Sequence, residues 1–140
     1  MACPFCRVNT ENTEVLAKRE FVYVCLSNPR LVPGHTLVIP DRHVVSITEL
    51  TDEEYKDFFH TIREFHDKIV HGSVASGCDI RINNRPFQKQ DGLKINHLHA
   101  HLQPREYKDE LYRRSQIYET ELFRVLEDKE REKFKLLLGE

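Results

Sequence analysis

The elements legible in this chain predict an α+β fold: a hairpin, a strand, one long amphipathic helix and two more strands, followed by a charged helical tail. Two observations carry that prediction. Short stretches rich in β-branched and aromatic residues alternate with polar ones before residue 41 and again from residue 78, as half-buried strands do. Between them the apolar residues recur every three or four positions, the period of a helix face. The 140 residues, 39% hydrophobic and 31% charged, fit one domain with a proper core.

Taken in order, residues 14–26 read as two strands around the polar Lys18-Arg19-Glu20 turn. Asn28-Pro29-Arg30 breaks the hairpin, Pro33-Gly34 makes a turn, and residues 35–40 form a short strand ended by proline. Thr51-Asp52-Glu53-Glu54 is a capping box, in which a hydroxyl and a carboxylate satisfy backbone donors at a helix start. Tyr55, Phe58, Phe59, Ile62, Phe65 and Ile69 then carry an apolar face to His71-Gly72. Residues 78–83 alternate as a strand, residues 84–92 are a polar loop, and residues 94–103 are the last strand, closed by Pro104. Beyond it Leu111, Ile117, Leu122, Val125 and Leu126 form an interrupted apolar stripe, and Phe134, Leu136, Leu137 and Leu138 a second. The charge run from Glu127 to Lys133 reads as a solvated face and leaves open whether it separates two helices. These C-terminal helices either are simply solvated or cover a partner subunit or the site.

A net charge of −2 with both signs interspersed gives no general polyanion-binding field, so bulk nucleic acid is disfavoured while a small phosphorylated ligand is not. No apolar run approaches the ~20 residues of a membrane span, and the first residues lack a charged-then-apolar signal pattern, so a cytoplasmic protein without membrane partners is the expectation. Four cysteines are too few for a disulfide scaffold and are expected to be reduced. Cys3-Pro4-Phe5-Cys6 supplies half of a tetrahedral zinc site, and on these residues alone zinc and two idle thiols both stand. A thioredoxin-like role fails on context, because only two residues precede Cys3.

The chemistry concentrates in His97-Leu98-His99-Ala100-His101. On a strand, three imidazoles at strict alternation line one face at roughly 6.6 Å intervals while Leu98, Ala100 and Leu102 face a core. Imidazole titrates near neutral pH and can be nucleophile, proton carrier or metal ligand. His60, His66 and His71 share no face with one another and read as surface or helix-end residues.

These residues resemble the histidine triad family of nucleotide hydrolases and transferases. His97-Leu98-His99-Ala100-His101-Leu102 is similar to its His-x-His-x-His hallmark, and Gly34-His35-Thr36-Leu37-Val38-Ile39-Pro40-Asp41-Arg42-His43 to its Gly-His-x-Leu-Val-Ile-Pro-x-x-His segment. With Cys3-x-x-Cys6 the anchors run in the family's order from residue 3 to Arg105. The resemblance implies an antiparallel sheet of about five strands with a long helix packed on it, commonly as a homodimer. It places that domain at residues 1–105, with residues 106–140 as a C-terminal helical extension of the same domain.

By the family pattern His99 attacks the α-phosphorus and carries a nucleotidyl intermediate, its other nitrogen donating to the backbone carbonyl of His97. Similarity also gives His101 and His35 to phosphate contact, with no catalytic metal required. It implies a structural zinc on Cys3, Cys6, His43 and His97. The family's ribose contact falls on Ser27, with Asn28 beside it, and Asn83 and Asn84 resemble its asparagine near the phosphate. Where many members carry a hydroxyl three residues before the first triad histidine, this chain has Lys94, after Gly92-Leu93, able to hold an extra phosphate. Pro104-Arg105 and Asp109-Glu110-Leu111-Tyr112 look closer to bacterial members that hydrolyse dinucleoside polyphosphates than to the phosphoramidase branch. A nucleoside phosphoramidate hydrolase and a nucleotide-binding sensor or scaffold with vestigial activity are the alternatives. A catalytic metal on all three triad histidines would leave the Gly34-His35 segment and the cysteine pair unexplained.

Overall fold

The computed structural model describes residues 3–8, 10–91 and 93–140; Gly92, the expected end of the polar loop, lies outside them. Five strands, β1 (Val15–Lys18), β2 (Val22–Leu26), β3 (Thr36–Pro40), β4 (Gly77–Ile82) and β5 (Ala100–Arg105), form one antiparallel sheet in the order β1-β2-β3-β5-β4. The long helix α1 (Asp52–His71) connects β3 to β4 and covers one face of the sheet.

Alternation sorts the sheet's side chains into two faces. Val22, Val24, Val38, Ala100 and Leu102 meet Phe58, Ile62, Phe65 and Ile69 of α1 in the main core. Complete burial of Phe58 alone stabilises by about 1.5–3 kcal/mol. On the opposite face Tyr23, Cys25, Leu37 and Ile39 form a smaller cluster, covered in part by Phe5 and Val8. The register sets Arg81 beside His101 and Leu37 on its other side, so all three root on this second face.

The capping box forms as its spacing predicts. Thr51 Oγ1 accepts from the Glu54 N–H at 3.2 Å, and Glu54 Oε1 accepts from the Thr51 N–H at 3.0 Å. Arg42 donates to both oxygens of the buried Glu54 carboxylate, at 2.8 and 3.1 Å. That guanidinium and the Thr51 amide hold the Glu54 carboxyl down to about 2.

The last strand departs from expectation at both ends. It begins at Ala100 rather than residue 94, because the ladder to β3 stops at Val38. Beyond that point the Pro40 carbonyl accepts from the His97 ring and the Val44 carbonyl accepts from the Leu98 N–H, so a side chain and a crossing segment take the place of the ladder. At its other end β5 runs through Pro104 to Arg105. Proline is tolerated there because β3 pairs only as far as Leu102, leaving Pro104 with β4 as its single neighbour.

Residues 108–140 are a separate compact unit. It holds α2 (Glu110–Arg114), capped by Asp109 through the Tyr112 N–H at 2.9 Å, a 3-10 segment (Gln116–Leu122) and α3 (Asp128–Leu138). The charge run from Glu127 to Lys133 caps α3 and forms its first turns, with Arg131 paired to Asp128. None of residues 108–140 is buried, and Leu122, Phe123, Val125, Leu136, Leu137 and Leu138 stand exposed. No described helix is long and apolar enough to cross a membrane.

Candidate active site

Four histidines meet on the second face of the sheet, and the partner of one nitrogen fixes what the other can do. The His97 ring is almost fully buried, and its Nε2–H donates to the Pro40 carbonyl at 2.7 Å. Its Nδ1 is therefore bare and lies 3.4 Å from Cys3 Sγ and 3.5 Å from Cys6 Sγ. Cys6 Sγ is 3.2 Å from His43 Nδ1, and the four ligand atoms of Cys3, Cys6, His43 and His97 all lie within 4.8 Å of one another. This cluster could hold a metal ion. Desolvation first, then the neighbouring Cys3, pushes the thiol of the exposed Cys6 up, the effect a bound cation would reverse.

His99 points the other way round. Its Nδ1–H donates to the His97 carbonyl at 2.6 Å, which leaves Nε2 with a free lone pair. Burial lowers its pKa, opposed by that hydrogen bond and assisted by Lys94, so the imidazole is neutral at ordinary pH.

His35 and His101 form a relay that starts at the backbone. The Leu31 N–H donates to His35 Nδ1 at 3.0 Å, so the proton of the neutral ring sits on Nε2. His35 Nε2–H donates in turn to His101 Nδ1 at 2.9 Å, which places the proton of His101 on its own Nε2. Burial, then the field of His99 and Arg81, brings His35 down to about 4. Burial, then His99, His35, Arg81 and Arg85, brings His101 down to about 3. Both rings are thus neutral, and the assignment of protons holds.

A pocket of about 240 Å³ opens beside this row. His99 and His101 line it together with Ser27, Asn28 and Pro29 from the β2–β3 connection, Leu37 from β3, and Leu93 and Ile95. The N-terminal segment adds Pro4, Phe5, Val8, Asn12 and Thr13 to the lining. Phe5 packs edge-on against His99 with ring centroids 5.1 Å apart, and its carbonyl accepts from the Tyr23 hydroxyl at 2.7 Å. The segment is thereby held on the sheet by Tyr23 and the cysteine–histidine cluster together.

Of the residues singled out in the sequence, the structure brings His99, His101, Ser27 and Asn28 into this pocket. His35 is only 5% exposed and lies behind His101. Asn83, Asn84 and Lys94 line a second, neighbouring pocket of about 200 Å³, with Arg85 and Asn96. Ile95 belongs to both linings, so the two pockets adjoin at that residue. Sequence reasoning missed Phe5 and Tyr23 in the wall, and Arg81 and Arg85 near the histidines. The alternation of residues 78–83 already put Arg81 on one face with Asp79, but nothing local paired that face with His101.

A family model described as the HIT domain matches residues 9–108. The bis(5'-adenosyl)-triphosphatase of Saccharomyces cerevisiae is 31% identical over 93 residues, 66% of this chain and 44% of the yeast protein, so the chain spans less than half of that relative. Protein hit of Bacillus subtilis is 30% identical over 105 residues, 74% of this chain and 70% of that protein. The bifunctional bis(5'-adenosyl)-triphosphatase/adenylylsulfatase FHIT of Arabidopsis thaliana is 32% identical over 124 residues, 84% of this chain and 67% of that protein. In fold, a solved HIT family member from Bacillus subtilis superposes with a TM-score of 0.64 over 91% of this chain and all of its own, at 24% identity. One from Bacillus anthracis reaches 0.63 over 86% of this chain and 91% of its own.

Proposed function

The chain belongs to the HIT domain family, and we propose that it is a nucleotide phosphohydrolase or nucleotidyltransferase working through a covalent nucleotidyl intermediate on His99. The observation that carries the reading is the bare Nε2 of a neutral His99, aimed by the His97 carbonyl and lining a pocket of about 240 Å³. The Nε2 lone pair forms a bond to the α-phosphorus, and the bond to the leaving oxygen or nitrogen breaks with its electron pair, which a proton then neutralises. Water or another acceptor displaces His99 in the second step and releases the nucleoside monophosphate. Covalent catalysis divides one difficult displacement into two easier ones.

His101 Nε2–H donates to the oxygens of the transferring group, whose negative charge it stabilises. His35 acts through His101, as a positioning residue. Asn28 and Ser27 face the ribose, and because Ser27 Oγ–H already donates to the Pro29 carbonyl at 2.9 Å, its oxygen is free to accept. Asn83, Asn84 and Lys94 serve the phosphates beyond Ile95.

Zinc fits the cysteine–histidine cluster. Bonds of about 2.3 Å to sulfur and 2.0–2.1 Å to nitrogen set sulfur and nitrogen about 3.6 Å apart in a tetrahedron, close to the 3.2, 3.4 and 3.5 Å found here. Cys3, Cys6, His43 and His97 would hold it, and it would supply structural pinning of the N-terminal wall rather than chemistry. The relatives named bis(5'-adenosyl)-triphosphatase favour a dinucleoside polyphosphate as substrate. Residues 106–140 act as an extension of this domain, and the exposed Leu136, Leu137 and Leu138 are apolar surface that a second copy in a homodimer would cover.

Mass spectrometry after acid-free quenching of a reaction with diadenosine tetraphosphate tests the central claim. An adenylyl adduct on His99, absent from His99→Ala, is the expected result. An adduct on another residue, or turnover by His99→Ala at the wild-type rate, would overturn it.

A further inference from the structure

The second pocket has a composition of its own. Arg85 and Lys94 are its charged lining, Asn83, Asn84 and Asn96 supply carboxamides, and no carboxylate lines it. Arg81 adds a third cation at the histidine row, because it sits directly opposite His101 on β4 and roots on the same face. Directly paired residues on neighbouring antiparallel strands have their Cβ atoms about 4.5–5.5 Å apart, so a side chain as long as arginine spans the site from there. Arg81 and Arg85 are exposed, and neither forms an ion pair with a carboxylate among the described residues.

The acids nearest in sequence are already engaged. Asp79 on β4 pairs with Arg105 at 2.6 Å, and Asp91 Oδ1 accepts from the Leu93 and Lys94 amides, both at 2.7 Å. Neither acid pairs with Arg81, Arg85 or Lys94, and the charge of the two arginines is felt at the histidine row: Arg81 disfavours protonation of both His35 and His101, and Arg85 of His101. Cations placed beside catalytic imidazoles weaken any role that needs those imidazoles charged. They are well placed for an anion that arrives with the substrate.

We propose that Arg81 and Arg85, with Lys94, are the residues of this chain that bind the phosphates of the leaving group, and that they set its preference for a polyphosphate over a phosphoramidate substrate. This rests on the nucleotide-transfer reading given above and assigns the residues that determine its specificity. The nucleoside that becomes attached to His99 occupies the first pocket, and the phosphates to be released cross Ile95 into the second. Arginine suits the task because its planar fork donates two parallel hydrogen bonds to phosphate oxygens.

Calorimetric binding of inorganic tripolyphosphate and of orthophosphate to the full metal-loaded chain tests the subsite without catalysis. Tripolyphosphate should bind at least about tenfold more tightly than orthophosphate, and Arg81→Gln/Arg85→Gln should erase that difference, each arginine contributing about tenfold as charge-assisted hydrogen bonds do. The double lysine variant should keep most of it, and Arg124→Gln in the C-terminal unit should change nothing. Equal binding of the two anions, or an equal loss in Arg124→Gln, would overturn the proposal.

Kinetics separate this from the reading it rests on. In the Arg81→Gln/Arg85→Gln variant kcat/KM for diadenosine tetraphosphate should fall about 100-fold while that for adenosine phosphoramidate stays within twofold. A parallel fall in both refutes the subsite and leaves His99 chemistry standing. Intact tripolyphosphate binding without any adduct on His99 refutes the chemistry and leaves the subsite standing.

Discussion

His35→Phe keeps a ring of similar width behind His101 and removes the Nε2–H that donates to it. In the wild type the Leu31 N–H, at 3.0 Å, and the His35 Nε2–H, at 2.9 Å, together force the proton of His101 onto Nε2. Phenylalanine leaves the Leu31 amide and His101 Nδ1 without these partners, and a buried group so orphaned costs about 1–3 kcal/mol. His101 can recover part of that by moving its proton to Nδ1, which turns its Nε2, the proposed phosphate contact, from donor to acceptor. Loss of one donor to a phosphoryl oxygen in a site of this kind lowers kcat by about 100- to 1000-fold. Nitrogen-15 spectra of labelled imidazoles read the tautomer directly, and should show His101 leaving the Nε2–H form in His35→Phe. His35→Gln, whose amide can donate to the same nitrogen, should restore both the tautomer and part of kcat. If His35→Phe retained the Nε2–H form of His101 and the wild-type kcat, the relay would have no role in catalysis.

Acid should destabilise the fold through the same pair. His35 and His101 titrate near 4 and 3 in the folded chain against an ordinary 6.5, because burial disfavours their charged forms. The unfolded state therefore binds more protons, so their contribution is fully present above pH 6.5 and is lost as pH falls towards 4 and 3, by on the order of 2 kcal/mol per imidazole at pH 5. Urea midpoints at pH 7.5, 6 and 5 should fall more steeply for the wild type than for His35→Phe. Purified protein should carry one zinc per chain, and Cys6→Ser or chelation should lower thermal stability by at least about 3 kcal/mol, what a ligand at a hundred times its Kd supplies. Because Phe5 belongs to the pocket wall, the same treatment should raise KM for the nucleotide more than it lowers kcat, and equal melting of apo and zinc-loaded protein would contradict the assignment. Glu54→Gln removes the charge that Arg42 grips and should cost about 1–2 kcal/mol in urea unfolding, a modest figure because Arg42 is half exposed, while leaving kcat unchanged.

What could be read from the sequence follows the range of the interactions. The α1 start was legible to the residue because a capping box closes within Thr51 to Glu54, and the face of α1 was legible because its period is local. Leu98, Ala100 and Leu102 do enter the core as their alternation required. The start of β5 was not legible, since it depends on the His97 ring capturing the Pro40 carbonyl 57 residues away. The wall formed by Phe5 and the pairing of Arg81 with His101 were hidden for the same reason: both are products of register and packing between distant segments. His35 shows the intermediate case, a residue identified from its motif whose place behind His101 only the fold reveals.

Three of these four histidines take their first partner from the main chain, and the kind of partner decides the chemistry. A carbonyl holds the proton of His97 on Nε2 and leaves Nδ1 for the cysteine cluster; another holds the proton of His99 on Nδ1 and leaves Nε2 with a bare lone pair, as the proposed attack requires. An amide N–H, from Leu31, does the reverse for His35, and His35 then holds the proton of His101 on Nε2. The difference between a bare and a protonated Nε2 thus follows from whether the chain offers C=O or N–H at one ring nitrogen. It follows that the connection carrying Leu31 controls His101 without touching the triad. Rearranging that connection should shift the His101 tautomer and kcat together, while the His99 tautomer, set within residues 97–99, stays as it is.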